Sequence, residues 1–473
     1  VSAPAVAGSA VKPEPSRQPT RRGIELLLLV AVWLIGSFAL VLASLGAADE
    51  IVSRAWTVVA ITGVSLLGIH LVVRWLAPYA DPLMLPAAAA LNMLGIAMIG
   101  RLDLDKALRA ASAGDPIPSS RAVDQATWMA VGVVACALVL VLVRDHRMLR
   151  RYTYIWGLTG MLLLLLPMIP GLGLTINGAN LWISVGGMTF QPSELAKVVL
   201  AIFFASYLVQ TRESLALVRR KVLGLGVPRG RDLGPILVAW LAAILIMALQ
   251  TDLGTAVMLF GLFVGLLYVA TGRRSWIVLG VILTVLGGIV AYALFGHVQI
   301  RFKVWLDPFA YANNEGYQIV QSLFGFANGG MLGTGWGRGY PQLVPYAESD
   351  FIFSALGEEI GMVGVFAVVV LFAVLIQRAL RVAQASRDAF GTLLAAGYAI
   401  IWGVQVFVVV GGVTKLIPHT GLTTPFMSAG GSSLLANWII LGLLLRVSDH
   451  VRRPDPVFVA PDDDATTEVV RQS

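Results

Sequence analysis

The stretch Pro345-Tyr346-Ala347-Glu348-Ser349-Asp350-Phe351-Ile352-Phe353 closes a long polar segment and leads into Val363-Gly364-Val365-Phe366-Ala367-Val368-Val369-Val370-Leu371-Phe372-Ala373-Val374-Leu375-Ile376. The second stretch is apolar throughout and does not alternate with period two. It therefore fits a membrane-crossing helix and not a strand of an outer-membrane barrel. Runs of the same kind recur at 24–45 and 235–249, and of the 473 residues 57% are hydrophobic and 13% charged. A soluble chain carries about 25% charged residues, so the composition excludes one and describes an all-α, polytopic membrane protein. Asp350 stands where polar segment and apolar helix meet. An ionisable group at a membrane boundary, facing a segment large enough to shape a pocket, marks a candidate site. Ser349 and Asp350 also suit a helix start, and the two roles are compatible.

Twelve spans are predicted: 24–45, 55–76, 82–100, 127–143, 154–171, 193–209, 235–250, 254–270, 275–295, 351–377, 392–413 and 432–446. The run at 24–45 is long and has no small-residue cleavage site, so it reads as an anchor and not a signal peptide. With both termini in the cytoplasm, roughly three Lys/Arg fall on the inner side for each on the outer side. Inner clusters are Arg144/Arg147/Arg150/Arg151, Arg212 to Arg231, Arg273/Arg274, Arg378/Arg381/Arg387 and Arg446/Arg452/Arg453. The loops 172–194, 296–350 and 414–431 then face outward, and the chemistry is expected there. The chain divides into a disordered cytoplasmic tail at 1–22, two additional helices at 23–80, a core at 81–446 and a cytoplasmic tail at 447–473. Within the core, 296–350 is a large external loop before the tenth span, rich in Gly and aromatic residues.

Several classes are excluded or disfavoured. The single Cys136 permits no internal disulfide, and nothing has zinc or haem spacing. The net charge of +7 lies between spans and not in one stripe, so it reports topology and not nucleic-acid binding. The absence of an internal repeat argues against an inverted-repeat transporter.

Three outward segments gather polar groups at span ends. In the first, Asn177-Gly178-Ala179-Asn180-Leu181-Trp182 precedes Phe190-Gln191-Pro192-Ser193-Glu194-Leu195-Ala196-Lys197. Pro192 and Ser193 give a helix start, after which Glu194 and Lys197 lie three apart on one face, either as an ion pair that eases burial or as ligands. In the second, Gln250-Thr251-Asp252-Leu253-Gly254-Thr255, Asp252 most simply caps a helix. The third runs from Lys415 through Pro418-His419-Thr420-Gly421 to Gly430-Gly431-Ser432-Ser433, a helix start whose N–H groups and hydroxyls suit an anion such as pyrophosphate. His419 alone is too weak a signal to name as a base. Glu358 and Glu359 lie about 12–14 Å below Asp350 along the same helix, and imply a polar crevice that one of them faces, or cationic partners from a neighbouring helix.

In this order and spacing, the segments resemble the shape, elongation, division and sporulation family, the RodA/FtsW proteins of bacterial cell-wall synthesis. The resemblance also rests on Gly316-Tyr317-Gln318, Gln321-Ser322, Asp350-Phe351-Ile352-Phe353, Gly357-Glu358-Glu359-Ile360-Gly361 and Pro425-Phe426, and covers about 82–446. It implies a ten-span core, here preceded by two more spans, and an elongation-type enzyme that polymerises lipid II outside the membrane beside a class B penicillin-binding transpeptidase. Other membrane proteins of the elongation or division complex are implied partners. Asp350 corresponds to the family's catalytic carboxylate. Trp182, Gln191, Ser193, Glu194, Lys197, Gln318, Arg338, Glu358, Glu359, Lys415, Gly430, Gly431, Ser432 and Ser433 are candidate substrate-binding residues. Lys197, Lys415, Arg338, Arg301 and Lys303 are candidate partners for pyrophosphate, alone or with Mg²⁺ or Mn²⁺ bridging the phosphates. The chain departs from the family at Tyr346, where many members are acidic, at Glu348, often His, and at Leu181, often basic or polar. Its two extra spans and long loop look most like actinobacterial RodA-type members. A lipid II carrier and a division-specific FtsW-type polymerase are the rival expectations.

Overall fold

With no water inside a bilayer to satisfy a bare peptide group, long apolar runs form helices, whose backbone bonds are internal. The computed structural model describes residues 20–48, 53–176, 178–185, 187–216, 220–222, 225–227 and 230–454. Helices α1 (Arg22–Ala48) and α2 (Ser53–Leu76) precede α3 (Met84–Ala113), α4 (Arg121–Leu142) and α5 (Thr153–Leu165). A small antiparallel sheet follows, of β1 (Gly173–Ile176), β2 (Ala179–Val185) and β3 (Met188–Phe190). Then come α6 (Pro192–Ala216), the short pair β4 (Arg220–Val222) and β5 (Leu225–Val227), α7 (Gly230–Leu249), α8 (Leu253–Thr271) and α9 (Ser275–Leu294). The chain ends through α10 (Gly296–Leu306), α11 (Tyr317–Gly329), α12 (Ile352–Ala385), α13 (Ala389–Val413) and α14 (Gly431–Arg452).

Among the described residues ten helices are long and apolar enough to cross a membrane, so the chain is a multi-pass membrane protein. The other two expected spans are shorter: α5 has 13 residues before a 3-10 turn at Leu166–Met168, and the apolar part of α7 is Leu237–Leu249. Asn177 and most of both terminal tails lie outside the described residues, while α14 continues past the expected end at 446.

Helices α3, α6, α13 and α14 form the buried centre, and α9 and α1 lie mostly at the surface. Small residues decide how closely the elements meet, because lipid offers helices little hydrophobic reason to associate. A Cβ on Gly95 of α3 would stand 2.3 Å from the Met427 carbonyl oxygen, so the segment between α13 and α14 lies directly on α3. Asn92 Nδ2 donates to the Phe426 carbonyl at 2.9 Å, and Gln125 Nε2 to that of Ser428 at 2.9 Å. An irregular stretch is thereby fixed from two sides, its peptide groups satisfied by side chains.

Two expectations need correction. The external segments are not plain loops. Residues 173–190 pair as a sheet in the register Leu174↔Trp182 and Ile183↔Phe190, and 296–350 holds α10 and α11. Nor is α12 continuous: Gly361 has φ 68° and ψ −178°, a conformation open to glycine and costly for other residues. There the N–H groups of Met362 and Val363 leave the helix and donate to Gly330 and Met331, while those of Thr334 and Gly335 donate to Glu358 and Glu359 carbonyls. The Gly-rich turn after α11 thus fills the break in α12.

Candidate active site

Asp350 sits two residues before the start of α12, in a tight bend where Tyr346 has φ 57° and Ser349 N–H donates to its carbonyl at 2.9 Å. Three contacts fix the bend. The Glu348 carbonyl accepts from Ala429 N–H at 2.7 Å, the Ser349 carbonyl accepts from Ser428 Oγ, and Phe351 is fully buried. The Glu348 carboxylate points away, to Lys106 Nζ at 3.0 Å and to Arg121. The Asp350 carboxylate, 17% exposed, faces a cavity of about 530 Å³. A second cavity of about 720 Å³ adjoins it, and Ile176, Trp182, Arg301, Ser349 and Gly421 line both.

The structure brings most of the expected residues to these cavities. Gln318 and Lys415 line the first beside Asp350, and Trp182, from the sheet, lines both. Gln191, Glu194, Gly430, Gly431, Ser432 and Ser433 line the second. Three helices begin at this second cavity. Glu194 lies in the first turn of α6, and Asp252 caps α8 by accepting from Thr255 N–H at 2.9 Å, so each start carries its own carboxylate. No side chain caps α14, which leaves the partial positive charge of its first-turn N–H groups directed at the cavity. That end suits an anion. The glycines serve packing more than access: Gly430 N–H donates to Gln125 Oε1 at 3.3 Å, and a Cβ on Gly431 would lie 2.1 Å from the Trp128 ring.

Other candidates lie elsewhere. Lys197, 1% exposed, pairs with Glu194 and donates to Gln405 Oε1 at 3.1 Å, which is the ion pair that eases burial. Ser193 accepts from Gln191 Nε2 at 3.1 Å and does not line a cavity wall described above. Glu358 and Glu359 do not line either cavity, which corrects their assignment to substrate; of the two expectations, a polar crevice or cationic partners, Glu359 meets the second through Arg101 on α3. Glu358 accepts from Asn328 Nδ2 at 2.9 Å and Tyr340 N–H at 2.8 Å, and Glu359 accepts from Gly337 N–H at 3.0 Å and pairs with Arg101. Both hold the turn that fills the α12 break, and Arg338 belongs to that turn and not to the cavities.

Two residues at the cavities had little weight in the sequence. Arg301, on α10, donates to the carbonyls of His419 at 3.3 Å and Thr420 at 2.9 Å. Burial lowers its pKa from the ordinary arginine value, opposed by the charges of Asp252 and Asp350, so it is a cation shared between the two cavities. His419 places Nε2 3.0 Å from Asp350 Oδ2. Its only local signal is its place two residues before Gly421. Among the described residues no group of three or more His, Cys, Asp or Glu is arranged to hold a metal ion by itself.

This geometry can be set beside known proteins. The profile of the FtsW/RodA/SpoVE family, described as cell cycle proteins, matches residues 81–453. The peptidoglycan glycosyltransferase RodA of Mycobacterium tuberculosis (strain ATCC 25618 / H37Rv) is 46% identical over 462 residues, covering 96% of this chain and 97% of that protein. The protein of the same name from Mycobacterium leprae (strain TN) is 44% identical over 467 residues, with 96% and 97% covered. A probable peptidoglycan glycosyltransferase FtsW of Geobacter metallireducens is 37% identical over 326 residues, 68% of this chain and 83% of that protein. Among solved structures, a chain of a peptidoglycan synthase complex that coordinates polymerization and crosslinking aligns with TM-score 0.62 at 26% identity, covering 79% of this chain and 99% of that one. The rod shape determining protein RodA of Thermus thermophilus aligns with TM-score 0.55 at 26% identity, covering 81% and 100%. The chain belongs to the FtsW/RodA/SpoVE family of cell cycle proteins.

Proposed function

We propose that this protein is a peptidoglycan glycosyltransferase of the elongation type, which polymerises lipid II at the outer face of the bacterial cytoplasmic membrane with Asp350 as general base. The observation that carries the assignment is a partly exposed carboxylate on the wall of one cavity, joined through Arg301 to another whose lining includes an uncapped helix start. A sugar hydroxyl is a poor nucleophile at neutral pH and needs a positioned base. Asp350 takes the proton of the acceptor's 4-hydroxyl as that oxygen bonds to C1 of the donor glycan. The bond from C1 to the phosphate oxygen breaks with its electron pair, undecaprenyl pyrophosphate leaves, and the α-linkage becomes β by inversion. The leaving group is already an anion, so no second carboxylic acid is required. Arg301, Lys415 and the first turn of α14 are placed to stabilise it. A divalent cation would arrive with the pyrophosphate, since the described residues do not hold one alone, and no step is assigned to it.

Charge supports the orientation. Arg144 to Arg151 and Arg212 to Arg231 fall on one side only if α5 crosses the membrane, and α7 must then cross too. This supports a reading with twelve crossings, both termini in the cytoplasm and the Asp350 cavities outside. The greater identity and coverage of the RodA relatives over the FtsW one support an elongation role. The likeness to a synthase complex supports a class B penicillin-binding protein as partner, within a larger elongation or division assembly. The carrier alternative gains little from Glu194, Lys197, Glu358 and Glu359: Glu194, at the second cavity, pairs with Lys197, and the other three are engaged by neighbours in the fold and line neither cavity. Proteoliposomes containing the purified chain and lipid II test the assignment. Glycan strands are expected, whereas lipid movement without new glycan would support the carrier.

A further inference from the structure

We infer that His419 is a positioning residue for the Asp350 carboxylate, donating Nε2–H to Oδ2 and leaving Oδ1 to receive the acceptor's proton. The inference rests on Asp350 being the base. Nε2 and Oδ2 are 3.0 Å apart, a full hydrogen bond. The tautomer follows from the surroundings. A hydrogen on Nδ1 alone would turn a bare Nε2 lone pair toward a carboxylate, whereas Nε2–H satisfies it. Nδ1 itself is buried, and among the described residues no hydrogen-bond partner reaches it, so the ring has no competing tie.

The ring has little freedom to leave this position. It packs against Phe351, with centroids 4.6 Å apart and planes 32° from parallel. A Cβ on Gly412 would lie 3.1 Å from Nδ1, so α13 presses on the opposite edge. Arg301 holds the peptide from behind through the His419 and Thr420 carbonyls. Asp350 precedes the helix and its side chain would otherwise turn freely about two bonds. A base acts only if the oxygen, the proton and the attacked carbon are aligned, and a displacement of about 1 Å can cost roughly 100-fold in rate. His419 is therefore placed to select one carboxylate rotamer. Arg301, Lys415 and Glu315 are the other ionisable side chains that line this cavity with Tyr346, and they bear on charge more than on rotamer.

His419→Gln and His419→Met test this, since the two side chains have similar volume and only glutamine can donate to Oδ2. In purified protein of wild-type thermal stability, His419→Met is expected to lower the kcat of lipid II polymerisation by about 10- to 100-fold, with KM changed less than about 3-fold. His419→Gln is expected to stay within about 5-fold of wild type. In an Asp350→Asn background, neither substitution should reduce the residual rate further. Equal kcat for the Met and Gln variants, or a change confined to KM, would overturn the positioning role. If Asp350→Asn abolishes polymerisation while His419→Met is as fast as wild type, this inference alone fails. If Asp350→Asn is itself as fast as wild type, the assignment of the base fails and this inference goes with it.

Discussion

At the scale of single residues, the site depends on backbone conformations that few side chains accept. Gly421 has φ 78°, and a Cβ there would stand 3.9 Å from Asp350 Oδ2 at the wall shared by both cavities. Gly421→Ala combines left-handed strain of about 1–2 kcal/mol with a methyl group beside the carboxylate. It is expected to lower the thermal midpoint modestly and polymerisation several-fold, and a variant unchanged in both would show that the turn relaxes. Arg301 makes a different prediction. Arg301 Nη1 alone makes both carbonyl bonds and leaves the rest of the guanidinium for an anion, whereas lysine has one nitrogen for both tasks, so Arg301→Lys is expected to lose about 10-fold or more in kcat/KM despite an unchanged formal charge. Activity near wild type would mean that charge alone is used. Glu194 and Lys197 were legible as a pair because they lie three apart on a helix. Asp350 and His419 are 69 residues apart, and nothing local in either stretch points to the other.

At the scale of elements, long apolar runs announced most of the helices, and what they concealed was where a helix stops being one. The break at Gly361 depends on amides donated to and from the turn after α11, a long-range exchange invisible to periodicity. A Cβ on Gly361 would meet Gly333 N at 2.3 Å, so Gly361→Ala must displace the whole turn. It is expected to destabilise the protein by about 2 kcal/mol or more, read as a lower thermal midpoint; an unchanged midpoint would refute the packing argument. The junction between α12 and α13 makes a pH prediction. Asp388 caps α13 through Gly391 N–H at 2.7 Å and accepts from His146 Nε2 at 2.8 Å. Burial works to raise its pKa, but His146, the Gly391 N–H and the charge of Arg147 outweigh it and hold the carboxyl well below the usual carboxylate range. A depressed carboxylate stabilises the fold above its unfolded pKa of about 4, and the contribution disappears as pH falls through the lower folded value. Asp388→Ala should therefore cost about 1 kcal/mol at both pH 7 and pH 5, with its gap from wild type closing only below about pH 4. A gap that widens on acidification would contradict this.

At the scale of the whole molecule, the outward segments that looked like separate loops converge on one place. The sheet supplies Trp182, α10 supplies Arg301, the bend before α12 supplies Asp350, and the segment between α13 and α14 supplies His419, Gly421 and the uncapped helix start. Asn92 and Gln125, on α3 and α4, hold that last segment in place, so buried side chains of two helices position a site built largely from irregular chain. Membrane class and the catalytic candidate were readable from apolar runs and one misplaced carboxylate. The separation of Glu358, Glu359 and Arg338 from the cavities was not, because it depends on contacts with the turn after α11 and with Arg101, which are distant in sequence. The most direct measurement is lipid II polymerisation by purified Asp350→Asn protein that retains the wild-type thermal unfolding profile. Loss of about 100-fold or more in rate is predicted, from removal of a general base in a side chain of nearly unchanged shape. Glycan strands formed at the wild-type rate would contradict the account.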